Sequence, residues 1–421
     1  MTYRLLMLAA LYIPLVGLAP LSKSWFFAQG IGQSTFENGA SIAFLAYCLA
    51  FTCGLVVTEK MAFVRTLWSS PKRVIPDFGM TSALALSALV PMALFVLFAI
   101  GGIGTFINGV SAGDFRSSLG GGGAIGYLVL KYYSPVVVTI LILVAKEHGR
   151  LFSWQVFVAV ALHVTIAMSF GYKSAVVMAM LPPCILLFWH SHWSRIFGLG
   201  LIAFAILVAA YLVMKPADQA SMSPVAAIFY RTFVLNAEEP WKIWDLHYRQ
   251  GVELPPYIDT LPALLGDRAF SSITGITRGD PGAWAYTHFS VMMTHLSGYD
   301  VEYILERGHN NAANIFSEGV MAGGLAGALL FGLAAGAMGN TMCHVIENRL
   351  AARDYGAAAV GASYFIFAFI AWMLGGGVAE IAHAAVLFGA LTAFIGARIM
   401  LGPLPSIMLL IYQRIQRANS V

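Results

Sequence analysis

Apolar runs of about 20 residues recur along most of this chain, separated by short polar turns and by one polar stretch at 215–311. A helix rising ~1.5 Å per residue needs about that many apolar residues to cross a bilayer. The pattern therefore predicts an all-α, polytopic transmembrane helix bundle of about ten spans. The expected spans lie near 3–21, 39–58, 79–102, 124–145, 151–170, 174–190, 195–214, 313–341, 357–375 and 384–402. Pro182 and Pro183 predict a kink in the sixth. Three regions follow: 1–214 with seven spans, the large loop 215–311, and 312–421 with three spans and a tail. The loop is too long for a plain connection and is rich in aromatics, such as Trp241, Trp244, Trp284 and Tyr286. It is expected to hold short helices lying partly on the membrane surface.

Composition agrees with the pattern. Hydrophobic residues make up 59% of the chain and charged residues 10%, against about 25% charged in a soluble domain. The net charge of +4 is carried by cations at helix ends, which speaks for membrane topology and against nucleic-acid binding. One set of connections holds Lys60, Arg65, Lys72, Arg73, Lys146, Arg150, Arg195, Arg349 and Arg353, and the tail adds Arg414 and Arg417. The opposite short connections hold only Lys23, Arg116 and Lys173. The richer side is expected to be cytoplasmic, with both termini inside. The first apolar run lacks a clear small-residue cleavage site and reads as a helix that is retained. Cys48, Cys53, Cys184 and Cys343 all lie in or beside apolar runs, so no disulfide framework and no metal site is expected. Walker-type and paired-glycine dinucleotide motifs are missing from the sequence, and no cofactor is expected.

Polar chemistry concentrates on the outer side. The segment Arg307-Gly-His309-Asn310-Asn311-Ala-Ala-Asn314-Ile-Phe-Ser-Glu318-Gly319 closes the large loop and runs into an apolar helix. Such groups are costly to desolvate at a membrane edge unless partnered, which suits a site for an anionic, hydroxyl-rich substrate. His309 is the candidate general base, because an imidazole titrates near the operating pH. Asn314 and Glu318 are four residues apart and share a helix face. Arg116, Lys173, Arg231, Arg268, Arg278 and Arg307 could neutralise a diphosphate, although Asp267 and Asp280 are ready partners for Arg268 and Arg278. Arg231 stands out because its neighbours from Ile228 to Leu235 are otherwise apolar. Glu380 follows Gly375-Gly376-Gly377 near the outer end of a span and needs a partner, for which a loop arginine is one candidate. His163, within a helix, reads as a packing residue. His190 and His192 read as part of an interfacial belt.

The stretch His309-Asn310, Asn314-Ile-Phe, Glu318-Gly319 and Gly323-Gly324-Leu-Ala-Gly327 resembles the superfamily of O-antigen polymerases (Wzy) and O-antigen ligases. Members often end the large loop with a His-Asn pair followed by a helix with small-residue pairs. The short outer turn Gly171-Tyr172-Lys173-Ser174, and Arg231 followed by Pro240, are similar to further features of these proteins. The resemblance implies a GT-C-like membrane glycosyltransferase of the bacterial inner membrane with its site facing the periplasm. It implies an undecaprenyl diphosphate-linked glycan as donor, no cofactor, and a chain-length regulator as a candidate partner. A single histidine in the motif tilts the reading to polymerase, with His309, Arg231 and Glu318 as catalytic residues. Arg116, Lys173, Arg268, Arg278, Arg307, Asn310, Asn311, Asn314 and Glu380 would hold diphosphate and glycan. The alternatives are a ligase, a transporter or flippase for a lipid-linked glycan, and an envelope scaffold. Matched broken helices in the two halves, which a transporter reading would expect, are not legible in the sequence.

Overall fold

A computed structural model describes residues 2–22, 39–61, 71–107, 122–170, 173–189, 233, 235–254, 257, 261, 264–266, 271–273, 275, 289 and 314–402. Ten helices carry the architecture: α1 (Thr2–Ser22), α2 (Ala40–Lys60), α3 (Phe78–Ala99), α4 (Gly123–Glu147), α5 (Trp154–Met168), α6 (Lys173–Leu187), α7 (Leu235–Trp244), α8 (Ile315–Ala351), α9 (Tyr355–Gly375) and α10 (Ala379–Leu401). Among the described residues there is no strand. Six helices are long and apolar enough to cross a membrane: α2, α3, α4, α8, α9 and α10. The helices expected at 3–21, 151–170 and 174–190 form, but their apolar parts are shorter, at Met7–Gly17, Trp154–Met168 and Met178–Leu187. The span expected at 195–214 lies outside the described residues.

Helices α4 and α9 are the centre of the bundle, with 78% and 72% of their apolar windows buried, against 28% for α3 and 22% for α10. The peripheral helices show their apolar side chains outward, as Leu387, Phe388, Leu391 and Ile395 do on α10. A polytopic protein needs such a lipid-facing surface. Several polar side chains inside the bundle find partners across helices. His163 is fully buried, with Nδ1 3.0 Å from Ser134 Oγ and Nε2 3.0 Å from the Ala179 carbonyl. The carbonyl can only accept, so Nε2 carries the proton and Nδ1 accepts from the serine. This is the packing role expected for it. All four cysteines are free thiols.

Helices α2 and α8 meet at backbone contact. A Cβ on Gly54 would fall 2.1 Å from the Leu333 carbonyl oxygen, and one on Gly336 2.0 Å from that of Phe51. Gly332, four residues before Gly336, faces Tyr47 in the same way. Small residues spaced by four let membrane helices approach this closely. Gly336→Leu is expected to separate the pair and to abolish a monodisperse peak in size-exclusion chromatography of the solubilised protein.

The bundle has two distinct ends. At one, which we term the basic end, α3, α9 and α1 begin and α2, α4, α8 and α10 finish. Arg73, Arg349 and Arg398 there surround Asp354, the N-cap of α9. Arg4 reaches Asn340 Oδ1 at 2.8 Å, Glu347 at 3.0 Å and Glu59 at 3.1 Å, tying α1, α2 and α8 together. At the other, the loop end, α7 continues through a π-helical turn, Asp245–Arg249, and packs over α1, α2 and the start of α8. The buried Asp245 of that turn accepts two hydrogen bonds from Arg249, which raise the arginine's pKa, and one of 2.9 Å from Gln250. α7 is the described part of the short helical structure expected in the large loop. The aromatic segment around Ala283–Tyr286 lies outside the described residues.

One feature of the chain departs from a simple span. α8 breaks at Gly323 and Gly324, the latter with φ 61° and ψ −144°. Residues 315–322 fold back so that Gly319 packs on Gly327 and Ala328, with room for no Cβ. Residues 325–351 remain long enough, at ~40 Å, to cross a bilayer alone. The Tyr248 hydroxyl accepts the N–H of Leu325 at 2.7 Å, satisfying one backbone group freed by the break. Gly324→Ala would place a methyl 2.5 Å from that hydroxyl at a positive φ. A destabilisation of about 2 kcal/mol or more is expected, read as a lower thermal midpoint in detergent.

Candidate functional site

The returned half-helix at residues 315–322 is the core of the loop end. Asn314 caps it: Oδ1 accepts from the Ser317 N–H at 3.0 Å and from the Ser317 hydroxyl at 3.3 Å. Phe316 is fully buried among Phe44, Tyr47 and Trp244, with ring centroids 5.2, 5.7 and 6.0 Å away. Ser317 and Glu318 are fully buried as well.

Glu318 is where the separate parts of the chain converge. Its Oε1 accepts from the Tyr257 hydroxyl at 2.6 Å and the Val378 N–H at 2.7 Å. Oε2 accepts from the Trp372 indole at 2.7 Å and the Gly377 N–H at 2.9 Å. Four donors saturate an acceptor-only carboxylate, and dipoles take the place that a cation would usually fill. Burial, and next the charge of Glu318, push the Tyr257 phenol well above its usual pKa, so it remains a donor.

The glycine run explains how two consecutive N–H groups reach one carboxylate. Gly376 and Gly377 sit at φ 66° and 83°, a conformation that side chains disfavour. A Cβ on either would also meet the Phe289 side chain, at 2.6 and 2.8 Å. The large loop thus returns to this corner at three described points: Tyr257 on Glu318, Phe289 on the glycines, and Gly266 against the His383 ring.

Of the residues singled out from sequence, Asn314, Glu318 and Glu380 come together here. Glu380 begins two residues after Val378, on the short helical turn Ala379–Ala382, which Tyr364 holds by donating to the Ile381 carbonyl at 2.5 Å. The Glu380 carboxylate, half-buried, makes no hydrogen bond or ion pair among the described residues. The glycines before it therefore serve Glu318. Lys173 opens α6 at the same end of the bundle, and its side chain is not among the described positions. Arg116, Arg231, Arg268, Arg278, Arg307, His309, Asn310 and Asn311 lie outside the described residues.

Asn314 carries a further signal. It is 4% exposed, and its Nδ2 makes no hydrogen bond among the described residues. The Ser317 N–H contact fixes which atom is oxygen, so the nitrogen is a buried donor with no partner among the described residues. Among the described residues no three His, Cys, Asp or Glu side chains are grouped to hold a metal.

Sequence reading did not find Tyr257, Trp372 or Phe289 as partners of this corner. It also missed Arg4, Glu59, Asn340, His344, Glu347 and Asp354 at the basic end. Each of these lies beside or within an apolar run, with partners up to 343 residues away. The one available signal was the glycine run, whose positive φ values hint at a backbone donor site.

No protein-family model, no curated protein and no solved structure matches this chain.

Proposed function

We propose that this protein is a membrane glycosyltransferase that polymerises a surface glycan, transferring the growing chain from undecaprenyl diphosphate onto a new lipid-linked repeat unit. The observation that carries the reading is the half-helix capped by Asn314: a buried, polar corner follows His309-Asn310-Asn311 in sequence and holds an amide donor without a partner among the described residues. In this reading the basic end faces the cytoplasm, by the excess of cations in its connections, and the loop end faces the periplasm in a GT-C-like arrangement.

His309 takes the proton from the acceptor hydroxyl. The arginines of the large loop, Arg231 first, then Arg268, Arg278 and Arg307, together with Arg116 and Lys173 of the short outer connections, neutralise the departing diphosphate. One displacement inverts the anomeric carbon: the acceptor oxygen bonds to it as the bond to the diphosphate oxygen breaks. Asn314, Asn310, Asn311 and Glu380 contact the glycan. Glu318 holds the site's frame through its four hydrogen bonds.

A gel of surface polysaccharide from a strain lacking the gene tests the reading. Core capped by a single repeat supports the polymerase. Uncapped core indicates the ligase. Lipid-linked units accumulating inside the cell indicate a flippase, a reading that the broken helix α8 favours, because transporters bind substrates at such breaks. Elongation of a defined lipid-linked repeat unit by the purified protein separates the enzymatic readings from the transport one.

A further inference from the structure

Four arginines meet where α3, α4, α8, α9 and α10 reach the basic end, and two carboxylates face them. Asp354, 1% exposed, receives a two-pronged contact from Arg398 at 3.0 and 2.9 Å. Arg349 lies at 3.3 Å and Arg73 at 3.6 Å from the same carboxylate. Arg353 lies 3.9 Å from Glu147. Among the described residues of the corner, four guanidinium groups thus face two carboxylates.

Its geometry is fixed by the fold. Arg353 occupies a left-handed turn at φ 58° between α8 and α9. Arg73 is held by its own N–H, which donates to the Ala352 carbonyl at 2.8 Å. The Arg73 and Arg353 side chains are 47% and 46% exposed, so their guanidinium groups can reach a ligand while Arg398 closes on Asp354. An apolar cavity of about 290 Å³ lies between α3, α4 and α10, lined by Leu84, Ala88, Val136, Ile140, Ala393 and Met400. Tyr133 and Thr392, joined by a hydrogen bond of 2.6 Å, line one part of it, and Met400, two residues after Arg398, lines another.

We propose that this corner binds the phosphate of an anionic phospholipid in the adjoining leaflet, with an acyl chain in the cavity. An excess of partly exposed guanidinium groups at the end of several spans matches a phosphate in charge and in fork geometry. The apolar cavity between α3, α4 and α10, whose lining includes Met400 close to Arg398 in sequence, matches the other half of the same molecule. The inference does not depend on the proposed glycan chemistry.

The test uses the purified full chain in detergent, titrated with dioleoylphosphatidylglycerol or dioleoylphosphatidylcholine and read by native mass spectrometry. The wild type is expected to prefer the glycerol lipid. The double variant Arg73→Gln/Arg353→Gln leaves the Arg398–Asp354 pair in place and is expected to bind that lipid about thirtyfold more weakly, at about fivefold per near-surface cation. Lys146→Gln, at a cation whose Nζ donates to the Leu187 carbonyl instead, should bind as the wild type does. Equal binding by wild type and double variant overturns the proposal, as does equal binding of the two lipids. Displacement of the lipid by millimolar inorganic phosphate would mean a free-anion site and also overturn it. Should the double variant not fold, titration of the wild type across 0.05–0.5 M salt decides: the preference for the glycerol lipid must fall as salt screens the arginines.

Discussion

Replacing Glu318 is expected to weaken the fold in a defined order: Glu318→Ala most, Glu318→Gln next, Tyr257→Phe least. The alanine strands four buried donors, from Tyr257, Trp372, Gly377 and Val378, and leaves a cavity. Each unsatisfied buried donor costs about 1–3 kcal/mol, so this variant loses a large share of a stability that is only about 5–15 kcal/mol in a typical protein. The glutamine keeps one oxygen. Its best orientation puts that oxygen toward Trp372 and Gly377. The amide nitrogen then faces Tyr257, whose hydroxyl can rotate to accept, and the Val378 N–H is orphaned. The cost is about 1–3 kcal/mol plus the loss of charge assistance in the remaining bonds. Tyr257→Phe removes a single donor from a carboxylate that keeps three. Thermal midpoints in detergent measure the series. A glutamine variant as stable as the wild type would mean that the four contacts do not form together.

The same series bears on the loop. Tyr257 is its hydrogen-bonded tie to Glu318, so Tyr257→Phe should raise the rate of limited proteolysis within 215–311 more than it lowers the melting temperature. The double variant Glu318→Gln/Tyr257→Phe should cost less than the sum of the single ones, because the two groups meet directly.

The second large effect is on activity. His309→Ala and Arg231→Ala are each expected to abolish polymer while protein abundance in the membrane stays at the wild-type level. A positioned general base contributes about 10²–10⁴-fold, and charge stabilisation at the leaving group about 10²–10³-fold. Either loss removes long chains from a polysaccharide gel. Arg231 stands two residues before Phe233, whose backbone carbonyl lies against Gly17 of α1. Arg231→Lys should recover part of the activity, since a point charge replaces the fork. Long chains in both alanine variants would remove this mechanism.

The sequence by itself determined the class of this protein. Apolar runs of fixed length admit one solution in a bilayer, helices whose backbone bonds close within each segment. For the same reason the cations at helix ends marked two unlike ends of the bundle before any coordinates existed. Asn314 and Glu318 were legible as one face because helical spacing is a local property. The tertiary structure alone decided what Glu318 does. Its donors come from positions 257, 372, 377 and 378, and no periodicity links those positions to 318. The break at Gly323 and Gly324 was hidden because glycines in membrane helices more often mark close packing, as Gly332 and Gly336 do here. The three long-range clusters, on Glu318, on Asp354 and around Arg4, follow from one physical rule. A polar group inside an apolar bundle must be satisfied, and the sequence states that need without naming the partner.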